Sequence, residues 1–186
     1  MISTADFKTG LTIELDGTVY QIVTHEFHKP GKGQAVVRTK LRDLRTGNVF
    51  AKTFRSGEKV ERARVERKEL QYLYSSGDEC FFMDSQDYEQ HALTTAQIGD
   101  DQVWLHEGET ITAVFYEGQI LGLEFPSAVE RKVVRTDPGI RGDTATGGSK
   151  PALLEGGATV QVPLFVNEGD VIRVDTRSRE YVERVK

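Results

Sequence analysis

Apolar and β-branched residues alternate with polar residues in short runs along this 186-residue chain. The runs Leu11–Leu15, Val19–Val23 and Ala35–Thr39 have the period of two that is typical of half-buried strands. Turn pairs such as Asp16-Gly17 separate these runs at the spacing of hairpins. Because short strands joined by tight turns favour a closed sheet, residues 1–64 are predicted to form a small barrel of about five strands.

Two further segments show the same alternation. In residues 65–127 it predicts strands over Gln71–Ser75, Cys80–Asp84, Ile111–Tyr116 and Gln119–Leu123. In residues 128–186 it predicts strands over Ala128–Thr136, Ala158–Val166, Asp170–Val174 and Glu180–Val185. Residues 88–107 are expected to hold short helices, and residues 137–151, rich in Gly, Thr, Asp and Pro, are expected to form an ordered loop. The predicted fold class is all-β, and the last two segments have the similar strand spacing of two copies of one architecture, although their sequences are too different to establish a repeat.

The overall charge of -5 conceals a strong segregation along the chain. Residues 1–64 carry 12 Lys and Arg against 7 Asp and Glu, residues 65–127 carry 2 against 13, and residues 128–186 carry 10 against 9. A basic first segment is suited to a polyanion such as RNA, and the acidic middle segment is expected to face away from it. Charged faces that are merely solvated are the alternative interpretation of this pattern.

The most distinctive local motif is the run HKPGKGQA at residues 28–35, between two strand patterns. Pro30 fixes its own φ, and Gly31 and Gly33 permit the positive φ values of a tight turn. Lys32 stands between the two glycines without a bulky neighbour, so we expect it to project from the tip of a hairpin. An ordinary solvent-exposed lysine in a turn is the alternative.

Further basic residues surround this lysine. Lys29 precedes it in the loop, and Arg38, Lys40 and Arg42 follow at positions i, i+2 and i+4, so that the three share one face of a predicted strand. Such a basic stripe is suited to a phosphate backbone, because each cation neutralises a phosphate and releases a counterion.

A second glycine-rich stretch, residues 139–151, is superficially similar to a phosphate-binding P-loop. A P-loop ends in Gly-Lys-Ser/Thr at the start of a helix, whereas here Ser149 precedes Lys150, and Pro151 and a strand pattern follow. The stretch is interpreted either as a long structural loop or as a loop whose N–H groups pack on nucleic-acid sugars and phosphates.

The C-terminal run, residues 175–186, alternates as well. Arg177 and Arg179 are predicted to share a strand face, and the ring of Tyr181 is suited to stacking on a base or a sugar. A half-buried final strand with a solvated face explains the spacing equally well.

No catalytic constellation is indicated by the sequence. His25 and His28 are expected to point to opposite faces of a strand, which disfavours a shared metal ion. Cys80 lies in an apolar run typical of a buried, inert thiol. We therefore expect a protein that is not an enzyme and that needs no metal and no cofactor.

The sequence favours a cytoplasmic location. The single cysteine excludes an intrachain disulfide, which suits a reducing compartment. The first residues show no signal-peptide pattern, and no apolar run approaches the ~20 residues of a membrane span.

Taken together, these motifs resemble those of the translation elongation factor P family, the bacterial counterpart of the hypusine-bearing eukaryotic factor. The resemblance covers essentially the whole chain and rests on the runs KPGKGQA at 29–35, KTFR at 52–55, YLY at 72–74, DPGIRGDT at 137–144, GGSKPA at 147–152, VPLF at 162–165 and VDTR at 174–177, with Tyr181. It implies a KOW/SH3-like barrel over residues 1–64, followed by OB-fold barrels over 65–127 and 128–186, in an elongated L shape.

For function, the resemblance implies a monomeric factor that binds the ribosome between the P and E sites, positions P-site peptidyl-tRNA and relieves stalling at consecutive prolines. Lys32 matches the position that a modifying enzyme extends in similar proteins, and the sequence leaves β-lysine and aminopentanol additions open. By the same matching, a loop is expected to face the E-site mRNA codon through Gly142, Asp143, Thr144, Gly147 and Gly148. Tyr181 and Arg184 are expected to contact ribosomal RNA or tRNA.

Two other classes remain as alternatives. A single-stranded RNA chaperone built on OB barrels requires surface aromatics interleaved with basic residues, whereas most aromatics of the middle segment lie among carboxylates. An enzyme that binds a nucleotide through the glycine-rich loop is the other alternative.

Overall fold

The computed structural model describes residues 1–139 and 148–186. Strands dominate these residues, which confirms the all-β class. The chain divides into two compact units, residues 1–68 with 113–123, and residues 69–112 with 124–186.

A six-stranded sheet contains the first strands of the chain, in the order β1-β6-β2-β3-β4-β5. The strands are β1 (Ile2–Ser3), β2 (Thr12–Leu15), β3 (Thr18–His28), β4 (Val36–Asp43), β5 (Val49–Arg55) and β6 (Lys59–Arg62), with a 3₁₀ helix at Thr4–Asp6. Inward residues of these strands, among them Ile13, Ile22, Leu41 and Phe54, form one apolar core with Phe7, which follows the 3₁₀ helix. Burial of alternate side chains in β4 thus fixes which residues of this strand remain outside.

A five-stranded sheet follows, in the order β11-β10-β7-β8-β9. Its elements are β7 (Glu66–Ser76), β8 (Glu79–Asp84), β9 (Gln90–Thr94), the short helix α1 (Thr95–Ile98), a 3₁₀ helix (Gly99–Trp104), β10 (Thr110–Tyr116) and β11 (Gln119–Glu124). The predicted short helices are therefore confirmed. Thr94 caps α1, because its side chain accepts a hydrogen bond from the backbone N–H of Gln97.

A third sheet has the order β14-β13-β12-β15-β16. Its strands are β12 (Ala128–Thr136), β13 (Ser149–Leu154), β14 (Thr159–Pro163), β15 (Val171–Asp175) and β16 (Glu180–Arg184). Numbered within each sheet, the second and third sheets have the same strand order, with the first strand between the second and the fourth. The first strand also carries a register shift in both, between Tyr72 and Tyr74 in β7 and between Val133 and Arg135 in β12. These correspondences support two copies of one architecture.

Two local predictions are wrong. Residues 137–151 are not all loop, because β13 begins at Ser149 and the side chains of Lys150, Ala152 and Leu154 are buried in alternation. Arg177 and Arg179 do not share a strand face, because they lie in the turn between β15 and β16. The carboxylate of Asp175 accepts hydrogen bonds from the N–H groups of Arg177 and Ser178, which favours a turn over a strand.

A buried arginine ties several elements of the second unit together. The side chain of Arg131 in β12 is only 2% exposed. Its guanidinium donates two hydrogen bonds to the Glu109 carboxylate, at 3.0 and 2.8 Å, and one to each of the carbonyl oxygens of Trp104 and Glu130, both at 2.7 Å. The bond to the Trp104 carbonyl therefore holds the end of the 3₁₀ helix against β12, and the bidentate pair holds the residue before β10 there as well.

In the first unit, β2 and the hairpin of β10 and β11 make a polar contact. The hydroxyl of Tyr116 donates a 2.6 Å hydrogen bond to the Glu14 carboxylate, and this bond is the main cause that raises the pKa of Tyr116 to about 12. Gly122 of β11 lies so close to Leu44 that a Cβ atom would be 2.6 Å from the Leu44 carbonyl oxygen. Glycine is therefore required for this approach.

Candidate nucleic-acid interface

The loop that carries Lys32 is held at the end of a long hairpin. The pairing of β3 with β4 continues to His28 and Val36, so that only residues 29–35 form the loop. Lys29, Gly31, Lys32 and Gly33 are exposed and Pro30 is half-buried. The prediction that Lys32 stands at a hairpin tip is confirmed.

The two glycines beside Lys32 differ in conformation. Gly33 has a φ of +118°, which favours glycine, whereas Gly31 is not among the residues with positive φ, so the prediction for Gly31 is wrong. A Cβ atom on Gly31 would meet nothing within 4 Å, and one on Gly33 would approach the Cγ of Pro30 at 3.5 Å. The turn therefore needs only one residue in the left-handed region of φ.

The basic stripe on β4 is present as predicted. Arg38, Lys40 and Arg42 are exposed, and the residues that alternate with them, Val37, Thr39 and Leu41, are buried. The apolar core thus fixes the orientation of the three cations, because a strand that buries one face presents the other.

Neighbouring strands change the charge of this face in two ways that the sequence analysis missed. Arg55 of β5 pairs with Val36 and so adds a fourth cation on the same face, beside the loop. Glu26 of β3 pairs with Arg38 and adds one carboxylate. The burial pattern of β5 shows no alternation, so the register between strands is needed to place Arg55.

The remaining predicted site residues lie in the second unit or outside the described ranges. Gly142, Asp143, Thr144 and Gly147 lie outside them. Gly148 and Tyr181 line one cleft at the third sheet, together with residues of β14. Arg184 has its guanidinium carbon 5.0 Å from the centroid of the Phe165 ring and one nitrogen 3.6 Å from the Asp170 carboxylate.

Titratable groups give little sign of acid–base or metal chemistry in the described ranges. No group of three or more His, Cys, Asp or Glu residues there is placed to hold a metal ion. Burial raises the pKa of the Cys80 thiol, which disfavours the reactive thiolate. No helix of the described residues is long and apolar enough to span a bilayer.

Comparison with known families covers nearly all of the chain. Residues 3–60 match the model for the elongation factor P KOW-like domain, residues 65–123 that for its OB domain, and residues 129–184 that for its C-terminal region. The chain belongs to the elongation factor P family. The family resemblance and the KOW-like and OB folds expected from the sequence are thereby confirmed.

Relatives within the elongation factor P family are similar over their full length. An elongation factor P of Natranaerobius thermophilus is 55% identical over 186 residues, covering 100% of this chain and 99% of the relative. One of Moorella thermoacetica is 56% identical over 184 residues, covering 99% of this chain and 100% of the relative. This chain is accordingly a translation elongation factor, and its family is one of translation factors rather than of enzymes.

Solved structures agree with this assignment. A eukaryotic translation initiation factor 5A from Methanococcus jannaschii is 27% identical with a TM-score of 0.52, covering 64% of this chain and 88% of that protein. A translation initiation factor of the same family from Naegleria fowleri is 16% identical with a TM-score of 0.53, covering 67% of this chain and 94% of that protein, and shows likeness of fold alone.

Proposed function

We propose that this elongation factor binds the ribosome between the P and E sites and orients P-site peptidyl-tRNA, which stimulates peptide-bond formation and relieves stalling at consecutive prolines. The observation that carries the proposal is Lys32, an exposed cation at the tip of a hairpin whose base is buried in an apolar core. The proposal rests on this geometry together with membership of the family.

The hairpin is suited to delivering a side chain into a narrow space. Its two strands are paired up to the loop, so bending the hairpin would break backbone hydrogen bonds between β3 and β4. Gly31 and Gly33 add no side chains beside Lys32, and the lysine side chain is long and thin. The tip is therefore slim, and its position is set by the strands rather than by a flexible linker.

Charge favours a site built of RNA. Arg38, Lys40, Arg42 and Arg55 share the outer face behind the tip, and each can neutralise one phosphate. Lys29 and Lys32 place two more cations in the loop itself. We infer that the stripe binds the tRNA backbone while the Lys32 ammonium approaches the aminoacylated end.

No acid–base chemistry by the protein is required in this mechanism. The ring of proline restricts φ, so a peptide that ends in proline is easily held in an unreactive orientation. A factor that orders the tRNA end restores reactive geometry, and orientation of reactants contributes up to about 7 to 11 kcal/mol. We propose that the factor is not itself an enzyme and needs no cofactor or metal.

The third segment completes the proposed contacts. Tyr181 and Arg184 are proposed to contact ribosomal RNA or tRNA. Gly142, Asp143, Thr144, Gly147 and Gly148 are proposed to face the E-site codon by family matching alone. We further propose three domains over residues 1–64, 65–127 and 128–186, a cytoplasmic monomer, and a separate enzyme that modifies Lys32.

The decisive experiment replaces Lys32 with alanine and measures reconstituted translation of a Pro-Pro reporter. Loss of the tip cation is expected to slow the Pro-Pro step by about tenfold or more, equivalent to about 1.4 kcal/mol of the barrier. Lys59→Ala is the matched control, because it removes an exposed lysine of the same sheet outside the hairpin that carries Lys32. A reporter without consecutive prolines is expected to respond little to either variant.

A second comparison separates binding from orientation. Arg38→Ala removes a proposed phosphate contact, so it should weaken ribosome binding and reduce its salt dependence, while a high factor concentration restores the Pro-Pro rate. Lys32→Ala should stay slow at any concentration. Full activity of Lys32→Ala, or a defect that concentration corrects, contradicts the proposed role of the tip.

A further inference from the structure

The outer face of the second sheet carries an exposed aromatic pair. β8 buries every second side chain, and the positions between them, which face outward, are held by Glu79, Phe81 and Met83. Phe81 pairs with Tyr74 of β7, and the two rings are stacked with their centroids 4.8 Å apart. Tyr74 is 47% exposed. The pair therefore presents a flat aromatic surface to solvent.

Small side chains flank this pair on the same face. The strand register places Ala92 of β9 opposite Phe81, and Ser76 of β7 opposite Glu79. Ala92 and Ser76 are both exposed, and neither is long enough to lie across a ring. A planar group of a binding partner can therefore stack on the aromatic pair and reach Glu79 at the same time.

Charge decides which planar group fits this face. Residues 69–112, which include all of β8 and β9, carry ten Asp and Glu and no Lys or Arg. Glu79 lies two positions from Phe81 on the same face of β8, about 7 Å along the strand. Asp78, Glu79 and Glu89 are exposed, and they form no ion pair within residues 1–139 and 148–186. Phosphates are repelled by such a surface, whereas a guanidinium is attracted to it.

We propose that this face binds an extended, arginine-bearing segment of a partner protein. One guanidinium of the segment stacks on the Tyr74–Phe81 pair and donates a forked pair of hydrogen bonds to the Glu79 carboxylate. Arginine fits better than lysine, because its planar and weakly hydrated guanidinium both stacks and forks. A second copy of this chain, which would bring the basic stripe of β4, is the other occupant that the test must separate.

The test is a titration of the full-length protein with a fluorescein-labelled nonapeptide in which arginine alternates with serine, followed by anisotropy at low salt. Tyr74→Thr removes the exposed ring and keeps a residue suited to a strand, so it should bind this peptide about 3- to 30-fold more weakly. Tyr74→Phe keeps the ring and should bind nearly as the parent does. Phe50→Thr is the matched control, because it removes an exposed ring of the first sheet.

The chemistry of the contact is tested with a second peptide that has lysine in place of arginine. This peptide has the same charge and should bind several-fold more weakly, since it loses the stacking and the forked bonds. Glu79→Gln should weaken the arginine peptide and narrow the difference between the two peptides. Glu180→Gln, which removes an exposed carboxylate of the third sheet, should change neither. Lys32→Ala should bind as the parent does, so the proposed role of the hairpin tip is tested separately.

Four results would overturn the proposal. Equal binding by Tyr74→Thr and Tyr74→Phe, or equal binding of the arginine and lysine peptides, leaves only unspecific attraction between charges. Binding of a labelled uridine hexanucleotide that Tyr74→Thr weakens assigns the face to RNA instead. Sedimentation of the parent as a dimer that Tyr74→Thr converts to a monomer assigns the face to a second copy of the chain.

Discussion

Replacing Arg131 with alanine is expected to destabilise the second compact unit strongly. The guanidinium is buried and makes four hydrogen bonds, two to Glu109 and two to backbone carbonyl oxygens. Alanine leaves the carbonyl of Trp104 in a buried place without its donor and leaves a cavity where the side chain was. The 3₁₀ helix should then lose its attachment to β12.

The magnitude follows from what each partner loses. A buried carbonyl left without a donor costs about 1 to 3 kcal/mol, and breaking a buried ion pair costs about 3 to 5 kcal/mol. Glu109 has a half-exposed side chain and regains water, which offsets part of that loss. We expect a decrease of about 3 to 4 kcal/mol in the free energy of unfolding for Arg131→Ala, and about 1 to 2 kcal/mol for Glu109→Gln, which retains a hydrogen-bond acceptor.

Trp104 provides the assay. It is the only tryptophan of the chain, it is buried, and its own carbonyl accepts a hydrogen bond from Arg131. Its fluorescence during urea unfolding reports this unit specifically, and the midpoint and slope give the free energy. Arg135→Ala is the matched control, because Arg135 lies on the same strand with an exposed side chain and should change stability by less than about 0.5 kcal/mol. If Arg131→Ala unfolds within 1 kcal/mol of the parent, the assigned role of this arginine is wrong.

Two further predictions concern the first compact unit. The hydrogen bond that the Tyr116 hydroxyl donates to Glu14 raises the pKa of Tyr116 from 10.0 to about 12. This hydrogen bond therefore stabilises the folded state fully below pH 10, and its contribution is lost as the pH rises through 12 and the hydroxyl loses its proton. A spectrophotometric titration of the phenols should show a late step that Tyr116→Phe removes, and an unchanged curve for that variant refutes the assignment. Gly122→Ala should cost about 1 to 3 kcal/mol in thermal unfolding, because its Cβ meets the rigid Leu44 carbonyl at 2.6 Å. Gly31→Ala, with open space around it, should leave the melting temperature unchanged, and equal melting of the two variants contradicts the close-approach argument.

Local periodicity was enough to predict many of the strands and the exposed faces that follow from alternate burial, but β5, β9 and β13 were not predicted. Arg38, Lys40 and Arg42 lie on the exposed face of β4, as their spacing requires, because a strand that buries one face exposes the other. The Lys32 tip was predictable from turn residues, since Pro30 fixes its own φ and Gly33 permits the positive φ that the turn adopts.

Features that depend on partners distant in the chain were not predictable. Val129, Arg131 and Val133 alternate on an inward face, yet nothing nearby shows that Glu109 and the Trp104 carbonyl satisfy the arginine. β5 is exposed along most of its length, so it shows no alternation to detect.

Near the C-terminus, residues that form a turn have the alternating sequence pattern of a strand. The alternating charges of residues 175–180 suggested a strand face, but hydrogen bonds from the backbone to Asp175 turn the chain there. These bonds to the backbone also lower the pKa of the Asp175 carboxyl, since they favour its charged form.

The arm formed by β3 and β4 has a length that changes only in discrete steps. Beyond the register shift at Ile22, five residue pairs lead from Thr24 and Lys40 to His28 and Val36. Deleting one residue from each strand would shorten the arm by about 3.4 Å and invert the outer part of the arm, turning its cations inward. Deleting two from each would restore the orientation at a loss of about 7 Å. Hairpins of related factors should therefore differ in length by even numbers of residues per strand wherever the charged side is kept.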